Sequence, residues 1–114
     1  LNSIALFPDN SLIGVGDISI AASASGICKF TSDGIFDTTF NTIGYTQFLV
    51  GAYSSLQAVA IQSDGNIIVG GAAVEEQAKF VLARYSQTGS LDTTFNGTGY
   101  ITTAITDAAT INAI

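Results

Sequence analysis

Apolar residues recur along much of this chain at alternate positions, and clusters of Ser, Asp, Asn and Gly interrupt them every eight to twelve residues. Over residues 56–62 apolar and polar positions alternate, the pattern of a strand buried on one face. Ser63-Asp64-Gly65-Asn66 then reads as a tight turn, with Asp for a local side-chain hydrogen bond and Gly for a positive φ. Residues 67–74 predict a second strand, almost wholly apolar and small, whose Gly70-Gly71 pair admits a close neighbour. Glu75-Glu76-Gln77 is a polar connection, residues 79–86 a third strand, and Gln87-Thr88-Gly89-Ser90 a second turn. An irregular segment over 91–97 precedes a fourth strand at 99–105. Nothing sustains a 3.6-residue apolar period, so the chain reads as all-β.

The same pattern occurs twice. Shifting the sequence by 55 residues without a gap superimposes Leu1 on Leu56, Ala5 on Ala60, Asp9 on Asp64, Ile13 on Ile68 and Gly16 on Gly71. The run Asp37-Thr38-Thr39-Phe40-Asn41 falls on Asp92-Thr93-Thr94-Phe95-Asn96, and Gly44-Tyr45 falls on Gly99-Tyr100. Fourteen of the 59 overlapping positions are identical, five of them consecutive, which a chance offset does not produce. The domain reading is therefore repeat 1 over 1–55, repeat 2 over 56–110, and the start of a third copy at 111–114. A four-stranded antiparallel unit of this length is a β-propeller blade, so the expected fold is two such blades. The alternative is β-solenoid-like stacking, which the hairpin turns disfavour.

The strings Ala60-Ile61-Gln62-Ser63-Asp64-Gly65-Asn66-Ile67-Ile68-Val69-Gly70-Gly71 and Phe80-Val81-Leu82-Ala83-Arg84-Tyr85 are similar to the delta-60 repeats of large bacterial proteins. So is Gly89-Ser90-Leu91-Asp92-Thr93-Thr94-Phe95-Asn96-Gly97-Thr98-Gly99. The first copy departs from that pattern at Lys29, where the second has Arg84, and at Pro8-Asp9-Asn10, where an Asp-Gly turn is usual. The resemblance implies a propeller-like fold in multi-repeat, often surface-associated proteins. It implies no activity.

Composition narrows the function. Charged residues make up 11% of the chain against about 25% in an ordinary soluble domain, and the polar positions are filled by hydroxyls and amides. That balance suits an extracellular or cell-surface bacterial protein. Net charge is −6 with Lys29, Lys79 and Arg84 as the whole cation complement. Three cations cannot neutralise a phosphate backbone, so nucleic acid is not an expected partner, and an anionic membrane surface is disfavoured likewise. No stretch reaches the ~20 apolar residues of a membrane helix, so membrane insertion is not expected.

Candidate chemistry is sparse. There is no His, and Cys28, the one cysteine, aligns with Ala83, as a small hydrophobe would. Neither a phosphate-binding Gly loop nor a metal-ligand cluster is present, so no enzyme, cofactor or metal is expected. Asp37 and Asp92, with Asn41 and Asn96, could offer oxygens to a cation, but one Asp per loop is too few for calcium. The structural alternative has Asp and the two Thr satisfying backbone amides while Phe40 or Phe95 anchors the corner. Each Asp follows a cation by eight positions, which predicts salt bridges Lys29–Asp37 and Arg84–Asp92, the latter bidentate. The sequon Asn96-Gly97-Thr98 is absent from the first copy and reads as accidental, and Glu75-Glu76 reads as a solvated loop.

Two blades do not close a ring of four to eight. The expected partners are further copies of this chain or adjacent repeats of a longer one, with the longer array slightly preferred. A protein or glycan ligand would bind at the loops or central channel of a non-catalytic structural module. The alternative is a self-assembling subunit of an extracellular fibre or coat.

Overall fold

A computed structural model describes residues 2–18, 24–49, 53–74 and 78–104. They form two four-stranded antiparallel sheets, each in sequential strand order. Sheet 1 comprises β1 (Ser3–Leu6), β2 (Leu12–Ile18), β3 (Ala24–Phe30) and β4 (Tyr45–Phe48); sheet 2 comprises β5 (Tyr53–Ile61), β6 (Ile67–Val74), β7 (Ala78–Tyr85) and β8 (Tyr100–Ala104). The start of a third copy at 111–114 and the Glu75-Glu76 loop lie outside the described residues.

The repeat is carried down to individual strand registers. Leu6 pairs with Leu12 as Ile61 pairs with Ile67, Leu12 with Phe30 as Ile67 with Tyr85, and Cys28 with Tyr45 as Ala83 with Tyr100. Because side chains alternate faces along a strand, a one-residue slip would turn every apolar position outward, so the pattern locks the register. The turns repeat as well. Gly65 closes the β5–β6 hairpin at φ 88°, and Asn10 occupies the equivalent left-handed position at φ 70°, a conformation Asn tolerates better than other residues with a Cβ. The divergent Pro8-Asp9-Asn10 segment therefore makes the same turn as Ser63-Asp64-Gly65.

Cross-strand pairing places Ala5, Ile13 and Lys29 in one row and Val15, Ile27 and Thr46 in the next, all on one face of sheet 1. That face lies against sheet 2, and Ile13, Val15, Ile27, Phe40 and Phe48 join Leu56, Val59, Ile67, Val69, Val81 and Tyr85 in a single core. Polar groups fasten the two sheets. Ser25 Oγ donates to the carbonyl of Ser54 at 3.1 Å and accepts from the Leu56 amide at 2.8 Å. Asn2 Nδ2 donates to the Leu56 carbonyl at 2.9 Å, and the Asn41 amide donates to the Thr88 carbonyl at 2.7 Å. Within sheet 2, Gly71 of the Gly70-Gly71 pair is needed for close approach: a Cβ there would run into the carbonyl oxygen of Ser55 in the neighbouring strand.

Candidate functional site

Two features repeat in both sheets, a rigid corner and a hairpin turn, and the turns of the two sheets together bound a cleft. The corner follows the third strand. Asp37 N–H donates to the Lys29 carbonyl at 2.9 Å and Asp92 N–H to the Arg84 carbonyl at 2.8 Å. Asp37 Oδ1 accepts from the Thr39 amide at 3.0 Å and the Thr39 hydroxyl at 2.6 Å. Asp92 Oδ1 accepts from the Thr94 amide and hydroxyl at the same two distances, 3.0 and 2.6 Å. Asn41 and Asn96 donate to the carbonyls of Tyr45 and Tyr100, while Thr38 and Thr93 are exposed. Each Oδ1 is thus occupied by the amide and the hydroxyl of the Thr two residues on, which leaves little for a metal. Among the described residues no group of three His, Cys, Asp or Glu side chains could hold one.

The cations are where their spacing placed them. Lys29 Nζ lies 3.5 Å from Asp37 Oδ2, and Arg84 Nε donates to Asp92 Oδ2 at 2.8 Å. The Arg84 pair is not bidentate on the carboxylate: the second arm, Nη2, reaches Thr94 Oγ1 at 3.3 Å. The physical reason is that Asp92 Oδ1 is already saturated by Thr94. Both cations also cap an aromatic ring, Lys29 4.5 Å from the centroid of Phe7 and Arg84 4.9 Å from that of Phe95. The carboxyls of Asp37 and Asp92 are held below the usual carboxylate range, chiefly by the Thr hydroxyl two residues on and less by the cation. The local turn fixes the Asp, and the cation follows it.

Phe40 and Phe95 differ despite their identical runs. Phe40 is buried against sheet 2, whereas Phe95, with no sheet described beyond it, is half-buried.

The cleft, about 610 Å³, opens between the two hairpin turns. Its walls include Leu6, Phe7 and Asp9 from one turn, Gln62 and Asp64 from the other, and Gln87. Asp9 Oδ1 accepts from the Ser11 amide at 2.9 Å and the Ser11 hydroxyl at 2.5 Å, which lowers its carboxyl below the ordinary value. Asp64 accepts from the Asn66 amide at 3.0 Å. Sequence reasoning treated these residues only as turn formers; the signal for more was the identity of Asp9 and Asp64 across the repeat. Cys28 sits half-buried between strands, and burial pushes its thiol up, away from the reactive thiolate.

The family model of a β-propeller domain of unknown function, DUF5122, matches residues 8–40 and 62–95, one segment in each sheet. The chain belongs to this β-propeller family. Its two sheets are two blades, and the matched segments run from the first hairpin turn of each blade to the Phe of its corner. No curated protein and no solved structure matches the chain.

Proposed function

We propose that this pair of blades is a non-catalytic structural and interaction module of a bacterial surface or secreted protein of the delta-60 type. Its partner, a protein or a glycan, is taken at the loops that bound the cleft between blades. The observation that carries the reading is the cleft itself, whose volume of about 610 Å³ and mixed lining suit a ligand. Asp9 and Asp64 offer acceptors, Gln62 and Gln87 offer amide donors, and Leu6 and Ile61 offer apolar wall. These are the groups that recognise hydroxyl-rich ligands without a metal. The absence of His from the sequence and the raised thiol of Cys28 support a role without catalysis, and the low charge supports a site outside the cell.

Calorimetric titration of the chain with a panel of glycans and of peptides tests this, with Asp64→Asn as the cleft variant. Saturable binding that Asp64→Asn weakens at least tenfold, with an unchanged circular dichroism spectrum, is the expected result. Absence of binding across both panels refutes it. The second reading, a subunit of an extracellular fibre or coat, is favoured by the exposed Ile4, Leu6, Phe36 and Tyr45 of blade 1 and by the apolar groove of Phe80, Leu82 and Ile101 on blade 2.

A further inference from the structure

The corner cation is bonded differently in the two blades. Arg84 uses its fork within its own corner, with Nε on Asp92 Oδ2 at 2.8 Å and Nη2 on Thr94 Oγ1 at 3.3 Å. The Lys29 ammonium stands 3.5 Å from Asp37 Oδ2, and among the described residues it has no second acceptor. An ammonium carries three N–H donors, and a buried charge is costly unless they are bonded. The Lys29 side chain is nine-tenths buried, at 10% exposure. On one side the Phe7 ring backs Nζ at 4.5 Å and offers no acceptor atom. What remains accessible of Lys29 lines the cleft of about 610 Å³, to which Arg84 does not contribute. The cleft lies at the end of the sheets that carries both hairpin turns and both corners, all within the described residues.

The walls around this ammonium carry acceptors. Asp9 Oδ1 is taken by the Ser11 amide and hydroxyl, which leaves Oδ2 without a partner among the described residues. The Ser11 bonds lower the Asp9 carboxyl most, and the Lys29 charge lowers it further, so cation and carboxylate act on each other within the cleft. Asp64 lines it from the second hairpin turn, and Gln62 and Gln87 add side-chain amides. Gln87 Nε2 lies over Gly65, where a Cβ would strike it, so this amide closes the wall between the two turns of blade 2. Charge then decides among ligands. An anionic group on Lys29 would sit beside Asp9 and Asp64 in a chain of net charge −6, and a cationic group on Asp9 would sit beside Lys29. A hydroxyl meets both demands, because it accepts from an ammonium and donates to a carboxylate. We infer that the cleft binds a neutral saccharide, one ring hydroxyl accepting from Lys29 Nζ and its neighbour donating to Asp9 Oδ2. Gln62 and Gln87 serve further hydroxyls. Lys29 is a ligand-binding residue as well as the corner cation, and Lys in place of Arg is what frees its donors.

This inference rests on the reading of the cleft as a ligand site and chooses a glycan over a protein. The experiment is saturation-transfer NMR and calorimetry on the full chain with methyl glycosides and short oligosaccharides of glucose, galactose and mannose. Glucuronate, glucosamine, glycine and basic peptides are the charged probes. Saturable binding of a neutral sugar, at least tenfold tighter than that of every charged probe, is the expected result. Lys29→Arg separates binding from structure. It keeps the charge and lets the guanidinium fork onto Asp37 and Thr39 as Arg84 does onto Asp92 and Thr94, so Tm should hold or rise while sugar affinity falls at least tenfold. Asp9→Asn should weaken binding by a similar factor, since its amide oxygen still accepts from Ser11 but the free acceptor becomes a donor; it carries the test if Lys29→Arg lowers Tm. Wild-type sugar affinity in a stably folded Lys29→Arg chain overturns the inference, as does any charged probe bound more tightly than the neutral sugars. Peptide binding that Asp64→Asn weakens, with no sugar bound, overturns this inference and leaves the ligand reading standing. Absence of all binding overturns both.

Discussion

Replacing Ser25 by Ala removes one oxygen atom from the junction between the blades, and its cost can be worked out from the bonds that atom makes. Ser25 is 0% exposed. Its hydroxyl accepts from the Leu56 amide at 2.8 Å and donates to the Ser54 carbonyl at 3.1 Å. β5 is the edge strand of its sheet, and the Leu56 amide, beside the register shift between Leu56 and Ala58, makes its bond across the junction to Ser25. Without the hydroxyl this buried donor has no partner, which costs about 1–3 kcal/mol. The carbonyl bond is longer, and an acceptor with two lone pairs is easier to satisfy, so it adds less. The sum is about 2 kcal/mol, a substantial share of the roughly 5–15 kcal/mol that holds a domain folded.

At roughly 4–5 °C per kcal/mol for a chain of this size, Ser25→Ala should lower Tm by about 8–10 °C. Thermal melts followed by circular dichroism check this, with the exposed Thr38→Ala as a control that should stay within about 0.5 kcal/mol of wild type. Hydrogen exchange of the Leu56 amide supplies a local readout: it should lose protection ahead of the β6 and β7 amides. A Ser25→Ala variant as stable as the control, or an unchanged Leu56 amide, would refute the claim that this hydroxyl joins the blades.

Thr42 is β-branched yet sits at φ 61°, where its equivalent Gly97 has φ 73°; Thr42→Gly should raise stability by about 1 kcal/mol in a urea titration, since relief of left-handed strain outweighs the entropy of Gly. The Thr31 hydroxyl is buried without a partner, so Thr31→Val should be neutral or stabilising by up to about 1 kcal/mol in the same assay. Asp9, Asp37 and Asp92 all titrate below the ordinary 3.8 in the folded chain. Their contribution is therefore complete above that value and disappears as pH falls through the lowered folded values. The urea midpoint should hold steady from pH 7 to about 4 and then drop, less steeply in Asp37→Asn/Asp92→Asn. Burial pushes the Tyr85 phenol from 10 up to about 12, so stability tied to the neutral phenol is lost as pH rises through that window; ultraviolet titration should lose its latest-ionising component in Tyr85→Phe.

Strand number, register and turns were legible because they depend on features internal to each copy. Period-two apolar positions fix which residues share a face, and a gapless offset of 55 carries the registers from one blade to the next. The cation–Asp spacing was legible for a similar reason, since strand and corner have fixed lengths. What covers each face was not legible. Phe40 and Phe95 sit in identical runs, and only the neighbouring blade makes one buried and the other half-buried. Ser25 was missed because a Ser in a strand reads as an outward-facing polar residue, and its equivalent, Phe80, carries no hydroxyl to draw attention to the position. The fork of Arg84 to Thr94 was missed because sequence cannot show that Thr94 already saturates one oxygen of its carboxylate partner.

The identical run of the corner can be understood from what the two copies share. In blade 1 the corner is packed against blade 2; in blade 2 its Phe is half open. Yet the Asp–Thr bonds have the same lengths, 2.6 and 3.0 Å, in both. The neighbouring blade does not create the corner, which is complete by local bonding alone. The Asn41 amide then meets its Thr88 acceptor across the blade junction from a loop that needs no reordering. A group presented in this way forms its bond without the entropy cost of fixing a mobile loop. The Asp-Thr-Thr-Phe-Asn run thus prepares each blade to receive the next, and stability accumulates blade by blade through nearest-neighbour contacts. The cleft lining, by contrast, mixes shared and differing positions: Asp9 and Asp64 are common to both copies, while Phe7 and Pro8 in one stand where the other has Gln62 and Ser63.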